Sequence, residues 1–541
     1  MLQSLKNTLS RRELFRWSAW LTAPALLRPT AAAAMPRPDE AAQPRSRTPP
    51  QGPNVYQSIG VRPLINARGT FTIISGSLML PEVRAAIDAA AQQHVHLDEL
   101  MAAIGARLAE LTQAEWGMVS SGCAAGLTHA TAACVAGGNP DLHVRIPNLS
   151  GFAKDEVIIP RHSRNVYDAA VRTVGVRIVD VGTAEELEAA FGPRTAMIYV
   201  LAGPNADTGP LSTKAIAAIA RQKGVPVLVD AAAEILTVPN VHLENGATLV
   251  AYSGGKCLRG PQSAGLLLGR KDLVQAAWVH SAPHHGFARS MKVGKEEAIG
   301  MLMAVEMWTK RDHKAEWARW MSWLDHVAKH VSRIDGVTTA VTETTELSNR
   351  TPSLSIRWDA ERLGVTGAAV ARHLMESEPR IATPGGRDRD GLTSLSVTPY
   401  QMSPGDEKIV AERIHATLSN PPASIRIAPA AQPATPAADV SGRWNVRIEY
   451  LAGAATHLLH LKQTGSRIEG THQGDFVSRD LTGTIDGDKV QLASTYSERN
   501  GDALNFRFTG SLTADGMAGA LDMGEYLAAK WTARRHEYRR G

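Results

Sequence analysis

The sequence is poor in cysteine and carries little net charge. Its three cysteines, Cys123, Cys134 and Cys257, are an odd number within one part of the chain, so we expect no disulfide framework. The net charge of the chain is +5. The first 34 residues hold five basic residues and one acidic residue, which leaves about +1 for the remainder. We therefore expect no nucleic-acid partner, because binding several phosphates needs a basic surface.

No apolar run near the N-terminus is long enough to cross a membrane. The stretch from Trp17 to Leu27 follows Arg11 and Arg12, and it falls well short of the roughly 20 residues that a spanning helix requires. Paired arginines, a short apolar stretch and the three alanines at 32–34 are typical of a twin-arginine signal peptide. We expect a mature protein that begins near Met35, in the periplasm or elsewhere outside the cytoplasm, with no stable membrane insertion. An uncleaved N-terminal anchor is the alternative.

Composition divides the rest of the chain into segments. Residues 35–53 are rich in Pro, Arg, Ala and Gln and predict a flexible tether, and residues 420–440 predict a Pro/Ala-rich linker between domains. Helix and strand signals alternate between these stretches, which is typical of an α/β domain. We assign residues 54–295 to an N-terminal segment and a large domain, and residues 296–419 to a smaller α+β domain.

The region 441–541 contains short alternating segments separated by Gly/Asp turns. This pattern predicts a small antiparallel β-barrel or sandwich. Trp444, Phe506, Phe508 and Trp531 provide aromatic side chains for a separate core. A glycan and a protein are the candidate ligands of this domain, but its sequence does not identify either.

The stretch from Ser212 to Asp230 predicts a helix followed by a buried parallel strand. Ser212 or Thr213 caps the helix, Gly224 ends it, and the apolar residues 225–229 form the strand. Asp230 then stands at the carboxyl end of that strand, where open α/β sheets bind their ligands. An acid in this position is also a common helix cap, and that alternative remains open.

A lysine follows the next predicted strand in a glycine-rich turn, Tyr252-Ser253-Gly254-Gly255-Lys256. Glycine lets a ligand approach the backbone closely, and a hydroxyl three residues before the lysine is placed to reach a phosphate group. Alone, Ser253 and Lys256 would indicate an ordinary turn. Lys256 lies 26 residues after Asp230, and this spacing favours a binding site over an ordinary turn.

An anion-binding turn is predicted at Ser120-Ser121-Gly122-Cys123. Hydroxyl groups, backbone amides and a helix N-terminus converge there, which suits a phosphate dianion. A plain helix start with a serine cap is the alternative. Together the lysine, the carboxylate and the anion cradle are the parts that a pyridoxal-5′-phosphate (PLP) site needs: Lys256 to hold the cofactor, Asp230 to face its ring nitrogen, and the cradle for its phosphate.

Residues 54–420 resemble the fold-type-I PLP-dependent family that includes selenocysteine synthase and D-glucosaminate-6-phosphate ammonia-lyase-like proteins. The resemblance rests on the order and spacing of six stretches: 65–70, 120–125, 228–233, 253–256, 260–265 and 291–297. It implies a large domain with a mostly parallel seven-stranded sheet, a small domain, and at least a homodimer with active sites at the subunit boundary. The C-terminal β-domain is additional to the family.

The resemblance also implies further site residues. His162 is the candidate to stack on the cofactor ring, although it is displaced by one position from the family pattern. Asn66, within the first matching stretch, is a candidate for substrate binding. Independently of the resemblance, the basic residues Arg289 and Lys292 after His284 and His285 are candidates to bind a substrate or phosphate anion, with a solvated polar loop as the alternative. The segment from His94 to Asp98 has metal-ligating side chains at alternate positions. It resembles an access loop of the family, and we expect no metal there.

These observations predict an exported PLP-dependent enzyme that acts on a small amino acid or amino sugar acid. The expected reaction is removal of the α-proton followed by β-elimination, with Lys256 as the base. Transamination and racemisation begin with the same proton removal and remain alternatives. A secreted binding protein that has lost turnover is the rival from another class.

Overall fold

A computed structural model describes residues 54–386, 391–427, 434–497 and 503–536. The predicted export signal and tether lie outside the described residues. No helix in these ranges is both long and apolar enough to span a membrane.

The N-terminal segment runs beside both of the domains that follow. It contains helix α1 (Val55–Ser58), strand β1 (Ile65–Asn66) and helix α2 (Pro81–Ala91). The strand pairs in parallel with Ile381–Ala382, which is labelled β11 below. Because Ala67 belongs to the small-domain core, this segment is joined to both parts of the structure.

The large domain is built on a seven-stranded sheet. Its strands are β2 (Trp116–Ser120), β3 (Glu156–Pro160), β4 (Arg177–Val181), β5 (Thr195–Leu201), β6 (Val227–Asp230), β7 (Leu249–Ser253) and β8 (Gly265–Gly269). They lie in the order β2-β8-β7-β6-β5-β3-β4. Only β8 is antiparallel to its neighbours β2 and β7. The predicted mostly parallel, seven-stranded sheet is confirmed.

Helices cover this sheet. They are α3 (Leu97–Thr112), α4 (Cys123–Ala136), α5 (Pro140–His143), α6 (Ala169–Arg172), α7 (Ala184–Ala190), α8 (Pro204–Asp207), α9 (Thr213–Gln222), α10 (Val241–Glu244) and α11 (Lys271–Val279). Helix α4 is buried along nearly its whole length, and its many alanines let it pack closely against the sheet. The predicted helix before β6 is present as α9, with the Ser212 hydroxyl accepting a hydrogen bond from the Ala215 amide at 3.3 Å.

The small domain has its own core. Its elements are α12 (Lys295–Lys310), α13 (His313–Val331), β9 (Thr338–Thr342), β10 (Ser353–Asp359), α14 (Ala360–Leu363), α15 (Gly367–Glu376), β11 (Ile381–Ala382), β12 (Leu392–Val397) and α16 (Asp406–Ser419). Strands β12, β10 and β9 form an antiparallel sheet in that order. Helix α12 packs against the large core through Met301, Val305 and Trp308, although the sequence placed it in the small domain.

The C-terminal region is a closed antiparallel barrel, which decides between the two predicted β architectures. Its strands are β13 (Gly442–Glu449), β14 (Ala454–Thr464), β15 (Arg467–Gln473), β16 (Ser478–Asp486), β17 (Lys489–Ser497), β18 (Ala503–Thr513), β19 (Gly516–Asp522) and β20 (Ala528–Arg535). The predicted aromatic core of Trp444, Phe506, Phe508 and Trp531 is confirmed. Val440, within the predicted linker, also belongs to this core, since its side chain is buried there. Its carbonyl accepts a hydrogen bond from the Trp444 indole at 2.8 Å.

Candidate active site

Polar residues end several strands at one edge of the main sheet. Ser120 is the last residue of β2, Asp230 of β6 and Ser253 of β7. Ser120 and Ser253 both lie opposite Gly265, the first residue of the antiparallel β8. The structure therefore brings the predicted residues of three separate segments to the same edge, which is where an α/β sheet binds its ligands.

The turn from β2 into α4 has the form of an anion cradle. Gly122 precedes the helix with φ +90°, a left-handed conformation that favours glycine, and no described side chain caps the helix. The Ser120 hydroxyl donates to the Gly122 carbonyl at 2.8 Å, and the Ser121 hydroxyl donates to the Met291 carbonyl at 3.0 Å. The open amides and the positive end of the helix dipole suit a phosphate group.

Close packing of two glycines fixes this turn against β8. A Cβ atom at Gly265 would lie 2.3 Å from the Gly122 carbonyl carbon and 2.6 Å from the Cys123 amide nitrogen. A larger residue at position 265 would therefore displace the start of the helix. This contact explains why a glycine begins a strand whose interior residues are leucines.

Asp230 is a buried carboxylate with several donors around it. Only 2% of the residue is exposed. Its Oδ2 accepts a hydrogen bond from the Tyr199 hydroxyl at 2.8 Å, and its Oδ1 accepts from the Ala232 amide at 3.1 Å and the Cys123 thiol at 3.6 Å. Burial raises the pKa of Asp230, whereas these hydrogen bonds and the charge of Lys256 lower it.

Tyr199 is a site residue that the sequence analysis missed. It lies within the buried strand β5, and burial next to Asp230 raises the pKa of its hydroxyl, which stays protonated and donates. Asn165 Nδ2 in turn donates to the Tyr199 oxygen at 3.0 Å. A tyrosine inside a buried parallel strand was the available signal, because a buried hydroxyl needs a hydrogen-bond partner.

Cys123 lies beside the same carboxylate. Burial, together with the negative charge of Asp230, raises the pKa of the Cys123 thiol well above its usual range. The residue therefore remains a thiol, which is the form that can donate to Asp230. This environment suits packing and hydrogen bonding and not nucleophilic attack.

Lys256 stands in a compact turn that glycines make possible. A Cβ atom at Gly254 would lie 2.7 Å from Met301 Sδ, and one at Gly255 would lie 2.6 Å from the Cα atom of Gln262. The turn is closed by a hydrogen bond from the Arg259 amide to the Lys256 carbonyl at 3.0 Å. Burial raises the pKa of both Asp230 and Cys123, and the positive charge of Lys256 lowers both.

The remaining candidates lie around this centre. His162 occupies a 3-10 turn after β3, with its Nε2 3.2 Å from the Leu211 carbonyl and its Nδ1 3.1 Å from the Ser163 hydroxyl. Asn66 binds the backbone of its own loop, since its Oδ1 accepts from the Gly69 amide at 2.9 Å. That contact gives Asn66 a local structural function, and its part in substrate binding stays a prediction.

Arg289 and Lys292 have exposed side chains on a loop that reaches the cradle. The loop is attached there through the hydrogen bond from Ser121 to the Met291 carbonyl. Arg289 and Lys292 are therefore close in sequence to Met291, the residue that contacts the predicted phosphate site. Their contact with a substrate stays a prediction.

The His94–Asp98 stretch has a structural use. Asp98 lies in the first turn of α3, where it accepts a hydrogen bond from the Trp278 indole at 2.8 Å and pairs with His284 at 3.2 Å. No cluster of three or more His, Cys, Asp or Glu side chains in the described ranges is arranged to hold a metal ion.

The arrangement fits PLP. A buried acid that is deprived of water needs a cationic partner, and a protonated ring nitrogen provides one. Ala231 and the half-buried Ala232 are small side chains next to that acid, which leave space for a flat ring. Asp230 would hold the ring nitrogen, the amides after Gly122 would hold the phosphate, and Lys256 would hold the cofactor covalently.

Known proteins show the same combination of fold and sequence. Residues 162–288 match the family model of Aminotransferase class-V. D-glucosaminate-6-phosphate ammonia lyase of Salmonella typhimurium is 31% identical over 371 residues, which are 67% of this chain and 97% of that protein. A 5′-C-glycyluridine monooxygenase-decarboxylase of a Streptomyces species is 32% identical over 377 residues, 67% of this chain and 92% of that protein.

A solved structure agrees with these relatives. The structure of a D-glucosaminate-6-phosphate ammonia-lyase matches with a TM-score of 0.61 at 29% identity, and the match covers 68% of this chain and 98% of that one. The aligned portion leaves about a third of this chain unmatched, which is close to the combined size of the segment before residue 54 and the barrel.

The hydrogen bond from Tyr199 yields a pH prediction. Because this bond lowers the pKa of Asp230, Tyr199→Phe should raise that pKa and protonate the carboxylate at higher pH. Bound PLP should then be lost on acidification at a higher pH than in the unmodified protein. Retained PLP, measured after dialysis over a pH series, gives the shift.

Tyr252→Phe is the matched control. Tyr252 is also a buried tyrosine, on strand β7, and its oxygen accepts a hydrogen bond from Asn240 Nδ2 at 2.7 Å. It should retain PLP over the same pH range as the unmodified protein. Identical profiles for both variants would contradict the function assigned to Tyr199.

Proposed function

The chain belongs to the fold-type-I family of PLP-dependent enzymes that includes D-glucosaminate-6-phosphate ammonia lyase, and we propose that it is an exported lyase. Its substrate would be a small amino acid or amino sugar acid, and its reaction would be removal of the α-proton followed by β-elimination. The observation that carries this proposal is the convergence of Lys256, Asp230 and the Ser120–Cys123 turn at one sheet edge.

Each group has a defined task in this reaction. PLP, when bound, supplies an electron sink that stabilises negative charge on the substrate α-carbon. Asp230 would hold the proton on the ring nitrogen of PLP, and although burial raises the pKa of Asp230, the hydrogen bonds from Tyr199, Ala232 and Cys123 favour its ionised form. Lys256 would hold the cofactor covalently when no substrate is present, and its amine would serve as the base that takes the α-proton of the substrate.

Elimination is favoured over transamination and racemisation by one relative, the ammonia lyase, whereas the other is a monooxygenase-decarboxylase. Transamination and racemisation use the same lysine and carboxylate, so the described residues alone suit all three reactions. The ammonia lyase is aligned over 97% of its length, which supports loss of ammonia as the overall reaction. The joint presence of Lys256, Asp230 and the cradle argues against a binding protein without turnover.

We also propose that the enzyme works as a homodimer or higher homo-oligomer. Large apolar side chains of the N-terminal segment are exposed, with Ile59 at 73% and Ile73 at 87%. The Ser77 amide donates to the Gly255 carbonyl at 3.1 Å, which attaches this segment directly to the lysine-bearing turn. A second subunit that covered the segment would bury the apolar surface and close the site from one side.

The function is tested by screening amino acids and amino sugar acids for release of ammonia and a keto acid. Lys256→Ala should reduce kcat with the substrate found by at least about a hundredfold, because it removes the base. Asp230→Asn should retain PLP but lose turnover, since an amide cannot hold the ring proton by charge. The exposed surface variant Lys310→Ala is the control and should keep normal turnover.

Two results would contradict this function. Normal turnover in Asp230→Asn would remove that residue from the mechanism. Amino-group transfer to a keto acid, without release of ammonia, would replace the lyase by an aminotransferase.

Export is proposed from the N-terminal sequence. Twin-arginine transport carries folded proteins, so the enzyme would bind PLP in the cytoplasm before export. Replacing Arg11 and Arg12 by lysine should keep the PLP-loaded protein in the cytoplasm, as cell fractionation would measure. Arg28→Lys, outside the arginine pair, should be exported normally. Export of the double variant at the normal level would rule out this route.

A further inference from the structure

A cavity of about 600 Å³ lies between the large and the small domain. Its walls come from the loop after β6, the turn after Lys256, the junction of α12 and α13, the connection from β9 to β10, and the segment after β12. None of its described lining residues is among those that would hold PLP. This interdomain cavity is large enough for a second small ligand.

Aromatic side chains form much of its lining. Trp317 and Trp320 lie three residues apart on α13, with their ring centroids 6.1 Å apart, and Tyr400 packs edge-on against Trp320 with its centroid at 6.2 Å. All three are half-buried and line the cavity, so their rings are not fully covered by protein. Open aromatic surfaces attract a further aromatic ring, which packs on them face to face with an offset or edge to face.

The lining carries more positive than negative charge. Apart from His313, it includes four cationic side chains and two carboxylates: Arg259, Arg311, Lys314, Arg350, Glu316 and Glu343. Arg311 and Glu316 form an ion pair at 2.8 Å, and Glu343 accepts a hydrogen bond from the Trp317 indole at 2.9 Å. Three cations and one carboxylate therefore remain outside that ion pair.

These three cations have no carboxylate partner among the described residues. Lys314 and Arg350 are exposed and make no hydrogen bond or ion pair with a described group. Arg259 donates from its Nε to the Leu78 carbonyl at 2.9 Å. Burial, together with the positive charge of Arg311, lowers the pKa of Arg259. An anion in the cavity would supply the negative charge that these side chains lack.

A buried amide in the lining also lacks a partner. Gln401 is only 7% exposed, and its Nε2 has no hydrogen-bond partner among the described residues. Buried donors of this kind are nearly always paired in folded proteins. An acceptor oxygen on a ligand is the group that would pair with it.

We propose that the interdomain cavity binds a planar aromatic molecule with a carboxylate group. The ring lies against Trp317 and Trp320, and the carboxylate pairs with Arg350 and accepts a hydrogen bond from Gln401 Nε2. Glu343 limits the affinity, because its charge has the same sign as the ligand's. This site is separate from the PLP centre and does not depend on the reaction proposed for it.

Three probes separate the contributions of charge and of the aromatic ring. Titration calorimetry of the full-length PLP-loaded protein should detect binding of indole-3-acetate. Indole-3-acetamide has the same ring but no charge, and it should bind at least about tenfold more weakly. Cyclohexylacetate keeps the charge but has no aromatic ring, and it should bind at least about threefold more weakly.

Substitutions of exposed residues test the charge without disturbing the core. Arg350→Met removes a positive charge, so it should weaken indole-3-acetate about tenfold and leave indole-3-acetamide nearly unchanged. Glu343→Gln removes the repelling charge and should strengthen indole-3-acetate alone. Arg333→Met is the matched control, since it changes an exposed arginine beyond the far end of α13, and it should alter neither affinity.

Retention of PLP separates this site from the cofactor site. Saturating indole-3-acetate should leave the amount of PLP that the protein retains on dialysis unchanged. The proposal is overturned if indole-3-acetate does not bind, if it displaces PLP, if indole-3-acetamide binds as tightly, or if Arg350→Met and Glu343→Gln both leave the affinity for indole-3-acetate unchanged.

Discussion

The buried carboxylate of Asp230 is the constraint on which the rest of the catalytic unit depends. A charge removed from water is stable only when surrounding groups replace the lost hydration. Here a tyrosine, a backbone amide and a thiol donate to the two oxygens, and Lys256 supplies an opposite charge. These groups come from β5, from the turn after β6, from the start of α4 and from the turn after β7, so the sheet must be complete before the carboxylate is stable.

The anion cradle and the carboxylate of Asp230 occupy the same edge of the sheet. The antiparallel strand β8 begins where β2 and β7 end, and its first residue, Gly265, lies against the turn that opens α4. This contact fixes the open amides at the start of α4, and the Cys123 thiol of the same turn donates to Asp230 at 3.6 Å. A cofactor with a phosphate at one end and a ring nitrogen at the other is held at two points by such a layout.

Much of this arrangement was predictable from the sequence, because apolar strands, capped helices and glycine-rich turns leave local patterns. The strand before Asp230, the turn that carries Lys256 and the aromatic core of the barrel are of this kind. Tyr199 was not predictable by the same means, since its function depends on the lateral position of β5 next to β6. Helix α12 was placed with the wrong core for a similar reason: its apolar pattern shows that it is buried but not against which partner. The hydrogen-bonded cluster of His457, His472 and Ser494 in the barrel was not predictable either, because it forms only when neighbouring strands align.

The most direct test of the account is to identify the lysine that holds PLP. Borohydride reduction of the purified full-length protein makes the attachment permanent, and mass spectrometry of a digest then locates it. The account predicts that the added mass is on the peptide that contains Lys256. The same mass on any other lysine, or its absence from a protein that retains PLP, would contradict the assignment of the site.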